Sequence, residues 1–329
     1  MTETALNKFV NSRYGLFAFA IVALIVSYAN SFGSETVADA GGLLPYSIGS
    51  ISLSPFASWL ANSLCICLSG VLLYIINKSF AFIRNYTVVH VTVFLFFSLV
   101  NPATASSLCA ASVSTTILSA CTFILFSNFQ RKERRDSMFL IMLILSSGSL
   151  FCYPLIFYMP VFIIGFMQIQ IFSFKGLLAS IVGIALPYWL GIAFGIIDST
   201  ALKLPEIALS ASIYAEAFRL PETAMLAYTI VLGTVFGISV AFTIMSYRLQ
   251  IRAYNGFLNL MAVFTLLFIA IDLRHASAYL VTLNMLMAVQ AAHFFTIRKP
   301  KRLYLLFFFV MLAGIATASI PMIANFSKI

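Results

Sequence analysis

Apolar runs separated by short polar breaks recur along the whole chain, and most of the runs are about 20 residues long. A helix rising about 1.5 Å per residue needs that length to cross a hydrocarbon core of roughly 30 Å. The pattern predicts an all-α fold, a polytopic transmembrane helical bundle of about eleven spans at 14–31, 55–76, 88–104, 107–128, 138–153, 155–173, 176–197, 223–246, 256–271, 276–296 and 303–324. Residues 1–329 read as a single integral membrane domain, with longer breaks at 32–54 and 198–222.

Loop charges test this division, because they played no part in drawing it. With the N-terminus cytoplasmic and the C-terminus outside, the outer segments keep only Lys203, Arg219, Arg274 and Lys328, so 15 of the 19 basic residues lie inside. That is the bias the positive-inside rule expects. Seven of the ten acids fall on the outer side: Glu35, Asp39, Asp198, Glu206, Glu216, Glu222 and Asp272. Residues 14–31, although they resemble a signal peptide, read as a retained first helix, because the charge alternation continues from them.

Composition agrees with a lipid solvent: 62% of residues are hydrophobic, 9% are charged and the mean hydropathy is +1.03. A net charge of +9 would suit a nucleic-acid binder if the basic residues shared one patch. They sit instead in short clusters at span ends, so nucleic acid is not an expected partner; topology explains them first, and anionic lipid headgroups second. Cys65, Cys67, Cys109, Cys121 and Cys152 fall in or beside apolar runs and read as small hydrophobes rather than a disulfide framework.

The polar chemistry is sparse. No Asp, Glu, Lys or Arg lies at the centre of a span, which argues against a carboxylate proton relay and against a voltage sensor. In the first outer loop Glu35 and Asp39 are four apart, so on a helical turn both carboxylates would share a face that could hold a divalent cation or supply a general base. A solvated loop with two ordinary acids is the plainer reading. The second outer loop, between Pro205 and Pro221, reads as an amphipathic segment on the membrane surface, with Glu206, Glu216 and Arg219 on its polar side. The turn Asp272-Leu273-Arg274-His275 is charged and compact; Asp272 either pairs with Arg274 or faces a substrate. His90, Asn62, Asn101, Gln168, Gln170, Asn284, Gln290 and His293 lie in or near spans, where interhelical hydrogen bonds would satisfy most of them. Gly191-x-x-x-Gly195 and Gly233-x-x-x-Gly237 are spaced for close helix approach.

From Asn101 to Ile197 a span is followed by the cluster Arg131-Lys132-Glu133-Arg134-Arg135, a span ending at Cys152-Tyr153-Pro154, another span, the lone Lys175, and a span containing Leu186-Pro187-Tyr188-Trp189-Leu190. This layout resembles an uncharacterised Bacteroidota family of multi-pass integral membrane proteins. More distantly it is similar to polyprenol-dependent multi-spanning glycosyltransferases, which carry a catalytic acid in the first outer loop. That resemblance implies a bacterial inner-membrane protein of envelope biogenesis with a polyprenyl phosphate-linked sugar donor. It also implies Asp39 or Glu35 as the catalytic carboxylate, with or without a divalent metal, and leaves Arg219 and Arg274, with Lys203 and Lys328, as the candidates to hold a phosphate; with Asp272 and His275 of the charged turn, Arg219 and Arg274 form the expected substrate-binding set. The first loop departs from that family in having no adjacent acidic pair. A transporter or lipid flippase, or a scaffold assembling with other membrane proteins, are the alternative expectations.

Overall fold

A backbone threading hydrocarbon must satisfy its own hydrogen bonds, and in a single chain segment only a helix does so. In the computed structural model, which describes residues 8–31, 48, 53–83, 87–131, 135–197, 223–297 and 303–326, every run expected to be a span carries a helix. The elements are α1 (Arg13–Ser31), α2 (Pro55–Phe80), α3 (Val89–Val100), the short α4 (Pro102–Ala105), α5 (Ala110–Ser127), α6 (Arg135–Ser149), α7 (Pro154–Gln168), α8 (Phe174–Ala193), α9 (Thr223–Met245), α10 (Leu249–Ile271), α11 (Ser277–Ile297) and α12 (Leu303–Phe326). Among the described residues six of these, α2, α5, α8, α9, α10 and α11, are long and apolar enough to cross a membrane, while α1, α3, α7 and α12 hold shorter apolar stretches. Phe242, Ile238, Val263, Phe309 and Leu64 lie on the exterior. Facing water they would be costly, facing lipid they are not; this is the exterior of a multi-pass membrane protein.

Helix starts follow local chemistry. Pro55, Pro102 and Pro154 each stand in the first turn of their helix, where a missing N–H costs nothing. Ser54 and Asn101 accept from the N–H of Ala57 at 3.3 Å and of Ala103 at 3.1 Å. The expected span 88–104 is broken there: Asn101, held extended before Pro102, ends α3 after twelve residues. The run expected to begin at 256 starts earlier, at Leu249, because Arg252 and Asn255 continue the helix rather than interrupting it.

Two helices form the centre. Every residue of α3 is buried, and so is α11 from Ala278 to His293. Around them stand α1, α2, α5, α9, α10 and α12. Polar residues of α11 reach several neighbours: Thr282 pairs with Thr115 of α5 at 2.8 Å, and Asn284 accepts from Thr229 of α9 at 3.2 Å and donates to Ser98 of α3 at 3.5 Å. Gln290 donates to Asn259 of α10. These bonds fix which faces of the apolar helices come together.

At the periphery α8 lies on α6 through Gly176, Ser180 and Gly183. A Cβ on Gly183 would sit 2.7 Å from the Phe139 carbonyl oxygen, so the two backbones touch. Ser146 donates to the Ile184 carbonyl at 2.7 Å, and Ser149 bonds the Tyr188 hydroxyl at 2.6 Å. Of the two glycine pairs expected to bring helices together, the first does something else. Gly195 lies beyond the end of α8 at φ +67°, and Gly191 makes room for Ile197 of its own C-terminal turn. Gly233 and Gly237 face α11, where a Cβ would meet Met287 at 3.6 Å and Gln290 at 4.0 Å, ordinary contact distances.

The bundle has two chemically different ends. Thr87 with Asn11 (3.1 Å), Asn255 with the Phe82 carbonyl (2.9 Å) and Gln130 with Gln170 (3.0 Å) tie one end, near Lys8, Lys78, Arg131, Lys175 and Arg252. The other end is tied by Trp59 to Ser27 (2.9 Å) and Asn62 to the Thr104 carbonyl (2.7 Å), and it carries Asp272.

Candidate functional site

At the Asp272 end, α10 closes with the Asp272 N–H donating to the Phe268 carbonyl at 2.8 Å, and a 3-10 turn, Leu273–His275, leads into α11. The Asp272 and His275 side chains are three residues apart on this turn and face the same way, with His275 Nδ1 2.9 Å from Asp272 Oδ1. Tyr153 reaches them from the N-cap of α7, where Pro154 sets the helix start. Its hydroxyl donates to Asp272 Oδ2 and lies 2.9 Å from His275 Nδ1. Tyr279, one turn into α11, donates to the same Oδ2 at 3.4 Å. Three elements therefore converge on one carboxylate. Its side chain is 14% exposed and that of His275 is 29% exposed, so the imidazole is the group that faces outward.

The charge state follows from these contacts. Burial pushes the Asp272 carboxyl up, but the hydrogen bonds from His275 and Tyr153, the charge His275 can carry and the Tyr279 bond together hold it below its ordinary value of 3.8. Asp272 is a carboxylate at neutral pH. Tyr153 moves the opposite way: burial first, and then its hydrogen bond to Asp272 and the charge there, raise its phenol above the usual range, with the Tyr279 bond opposing. A neutral His275 that satisfies both oxygens near Nδ1 carries its proton on that nitrogen. Nε2 then keeps its lone pair, and it makes no hydrogen bond among the described residues. A carboxylate that fixes the tautomer of a partly exposed imidazole is the arrangement of a general base.

The other expected site residues divide plainly. Glu35, Asp39 and Arg219 lie outside the described residues, as do both outer loops apart from Ile48, Leu53 and Ser54. Arg274 is placed by its backbone, between Leu273 and His275 on the turn. Asp272 and His275, expected to bind substrate, are brought together. Among the described residues no three of His, Cys, Asp and Glu gather as metal ligands, and the carboxylates expected to hold a divalent cation lie outside those residues. Tyr153 and Tyr279 join the site without having been anticipated. Tyr279 sits four residues after His275, a helical neighbour, whereas Tyr153 is 119 residues from Asp272.

A second polar group is buried toward the basic end. His293 donates from Nε2 to Asn255 Oδ1 at 2.7 Å, and the Phe82 ring lies 6.4 Å from the His293 ring and 6.4 Å from the His90 ring. His90 Nδ1, His90 Nε2 and His293 Nδ1 have no hydrogen-bond partner among the described residues. Both imidazoles are sealed from solvent, so this group packs helices and offers no surface to a substrate. Comparison with known protein families, with curated proteins and with solved structures finds no match for this chain.

Proposed function

We propose that the chain is a bacterial inner-membrane protein of envelope biogenesis that acts at the extracytoplasmic face, with its eleven apolar runs crossing the bilayer and the Asp272 end outside. The observation that carries this reading is the Tyr153–Asp272–His275 constellation at the end of the bundle away from the basic clusters. The orientation rests on the positive-inside rule. In this reading His275 Nε2 takes the proton of an acceptor hydroxyl, Asp272 stabilises the imidazolium that results, and Tyr153 holds both in register. Arg274 on the same turn and Arg219 of the second outer loop read from the sequence supply positive charge for a phosphate, in keeping with a polyprenyl phosphate-linked sugar as donor. Glu35 and Asp39 add a carboxylate, with or without a divalent cation, from the first outer loop.

The test is mass spectrometry of polyprenyl-linked lipids in cells with and without the protein. A transferase changes the pool of sugar-bearing species; wild type restores it, and His275→Gln, at equal protein level, does not. Identical pools in the two strains would remove the transferase reading, and full restoration by His275→Gln would remove the role of His275. A second reading, transport or lipid flipping, is favoured by Thr229, Asn259, Asn284 and Gln290, which place uncharged polar groups part-way along α9, α10 and α11. Unchanged lipid-linked pools with altered sidedness of those lipids would favour it.

A further inference from the structure

Helices α9 and α10 both pack on α11 and barely touch one another. Between them lies a groove of about 300 Å³, floored by α11 and edged by the exposed side chains of Ile238 and Val263. On the α9 wall, Gly233 and Gly237 bring no side chain to it. A Cβ at Gly233 would meet only Met287 atoms at 3.6 Å, and one at Gly237 only Gln290 Cγ at 4.0 Å. Those are ordinary contact distances, so no neighbour demands glycine at either position, and both glycines line the groove. At the floor Gln290 is 6% exposed, and while its Nε2 donates to Asn259, its Oε1 has no partner. A buried amide oxygen with no donor is costly in an apolar setting. The walls are mostly aliphatic and the groove faces the hydrocarbon, so a donor that meets this oxygen arrives on an amphiphile.

We propose that the groove is a binding site for a single hydrocarbon chain bearing a hydroxyl group, whose O–H donates to Gln290 Oε1. Gln290 lies seven residues before the end of α11 at Ile297, so the hydroxyl sits about 10 Å in from the basic end and the chain runs past Gly237 and Gly233 toward the other. The volume is at the lower limit for small-molecule sites and takes one chain rather than a whole lipid. This site is independent of the acid–base reading: α10 turns Asn259 and Val263 to the groove, and Phe257 and Thr265 toward α7, the helix that carries Tyr153.

The test uses the full chain in lipid nanodiscs, photolabelled with a long-chain primary alcohol that carries a mid-chain diazirine. The matched probe is the same chain without the hydroxyl. The alcohol should label peptides containing Gly233, Gly237 and Val263 about five- to tenfold more than the alkane, as one hydrogen bond would give. Gln290→Leu should erase that ratio, and Gly237→Leu should block labelling. Val231→Leu, on the lipid-facing side of α9, should change nothing. Labelling spread over all exposed helices and unaffected by Gly237→Leu would overturn the site, as would equal labelling by both probes in wild type. Cross-linking of Ile238→Cys between two copies, showing the groove filled by protein, would overturn it too. Should Gly237→Leu fail to fold, the alcohol-to-alkane ratio in Gln290→Leu decides alone.

Discussion

The faces of α8 and α9 are built from the same kind of residue and are used in opposite ways. On α8, Gly176, Ser180 and Gly183 lie against α6 so closely that the Gly183 Cα faces the Phe139 carbonyl. On α9, Gly233 and Gly237 repeat the four-residue spacing of Gly176 and Ser180, yet α10 stands off and a groove remains. The difference lies in the partner. α6 has Ser146 and Ser149 to bond the α8 backbone and Tyr188, while the α9 glycines meet only the side chains of Met287 and Gln290 of α11, at ordinary contact distance. Small-residue spacing permits close approach; the facing helix decides whether it happens.

Substitutions can break this contrast, beginning with the largest expected effect. Gly183→Leu should separate α6 from α8, at a cost above about 3 kcal/mol, and be seen as loss of the monodisperse protein in detergent. Asp272→Asn at the turn joining α10 to α11 should cost about 1.5 to 3 kcal/mol, since it weakens hydrogen bonds to a charged group that tie in α7; thermal melting measures it. The pH dependence sharpens this test. Because the folded carboxyl is held below 3.8, its contribution is complete above that value and is lost as the pH falls through the lower folded one. Asp272→Asn should therefore flatten the acid limb of the melting temperature. Ser149→Ala, which takes the partner from the Tyr188 hydroxyl, should cost about 1 kcal/mol. Gly233→Ala should be the mildest, neutral or stabilising by up to about 1 kcal/mol, because its methyl group meets Met287 only at an ordinary contact distance of 3.6 Å and alanine favours the helix. A large loss there would mean that the groove is closed by a neighbour after all.

Much of the fold was legible in the sequence because apolar runs are local signals. Each run carries a helix near where it was expected. Boundaries went astray where polar residues continue a helix, as Arg252 and Asn255 do in α10, or where an apolar run hides a break, as at Asn101. The site was half legible. Asp272 and His275 stand out as a charged turn, but nothing near Cys152-Tyr153-Pro154 says that its phenol will meet a carboxylate 119 residues later. The same holds for the glycine pairs: their spacing is in the sequence, and their surroundings are not.

The shortness of α3 has a consequence for how the chain is made. Twelve residues span about 18 Å, well under the thickness of a bilayer core, so lipid alone is a poor home for this segment during synthesis. Of its partners, α1 and α2 are made before it, but the helix that receives Ser98 brings Asn284 to it only 186 residues later. The centre of the bundle thus stays incomplete until nearly all of the chain has left the ribosome. Nascent chains arrested before α11 should hold α3 loosely and be open to proteases and quality control, and the completed protein should become resistant in one late step.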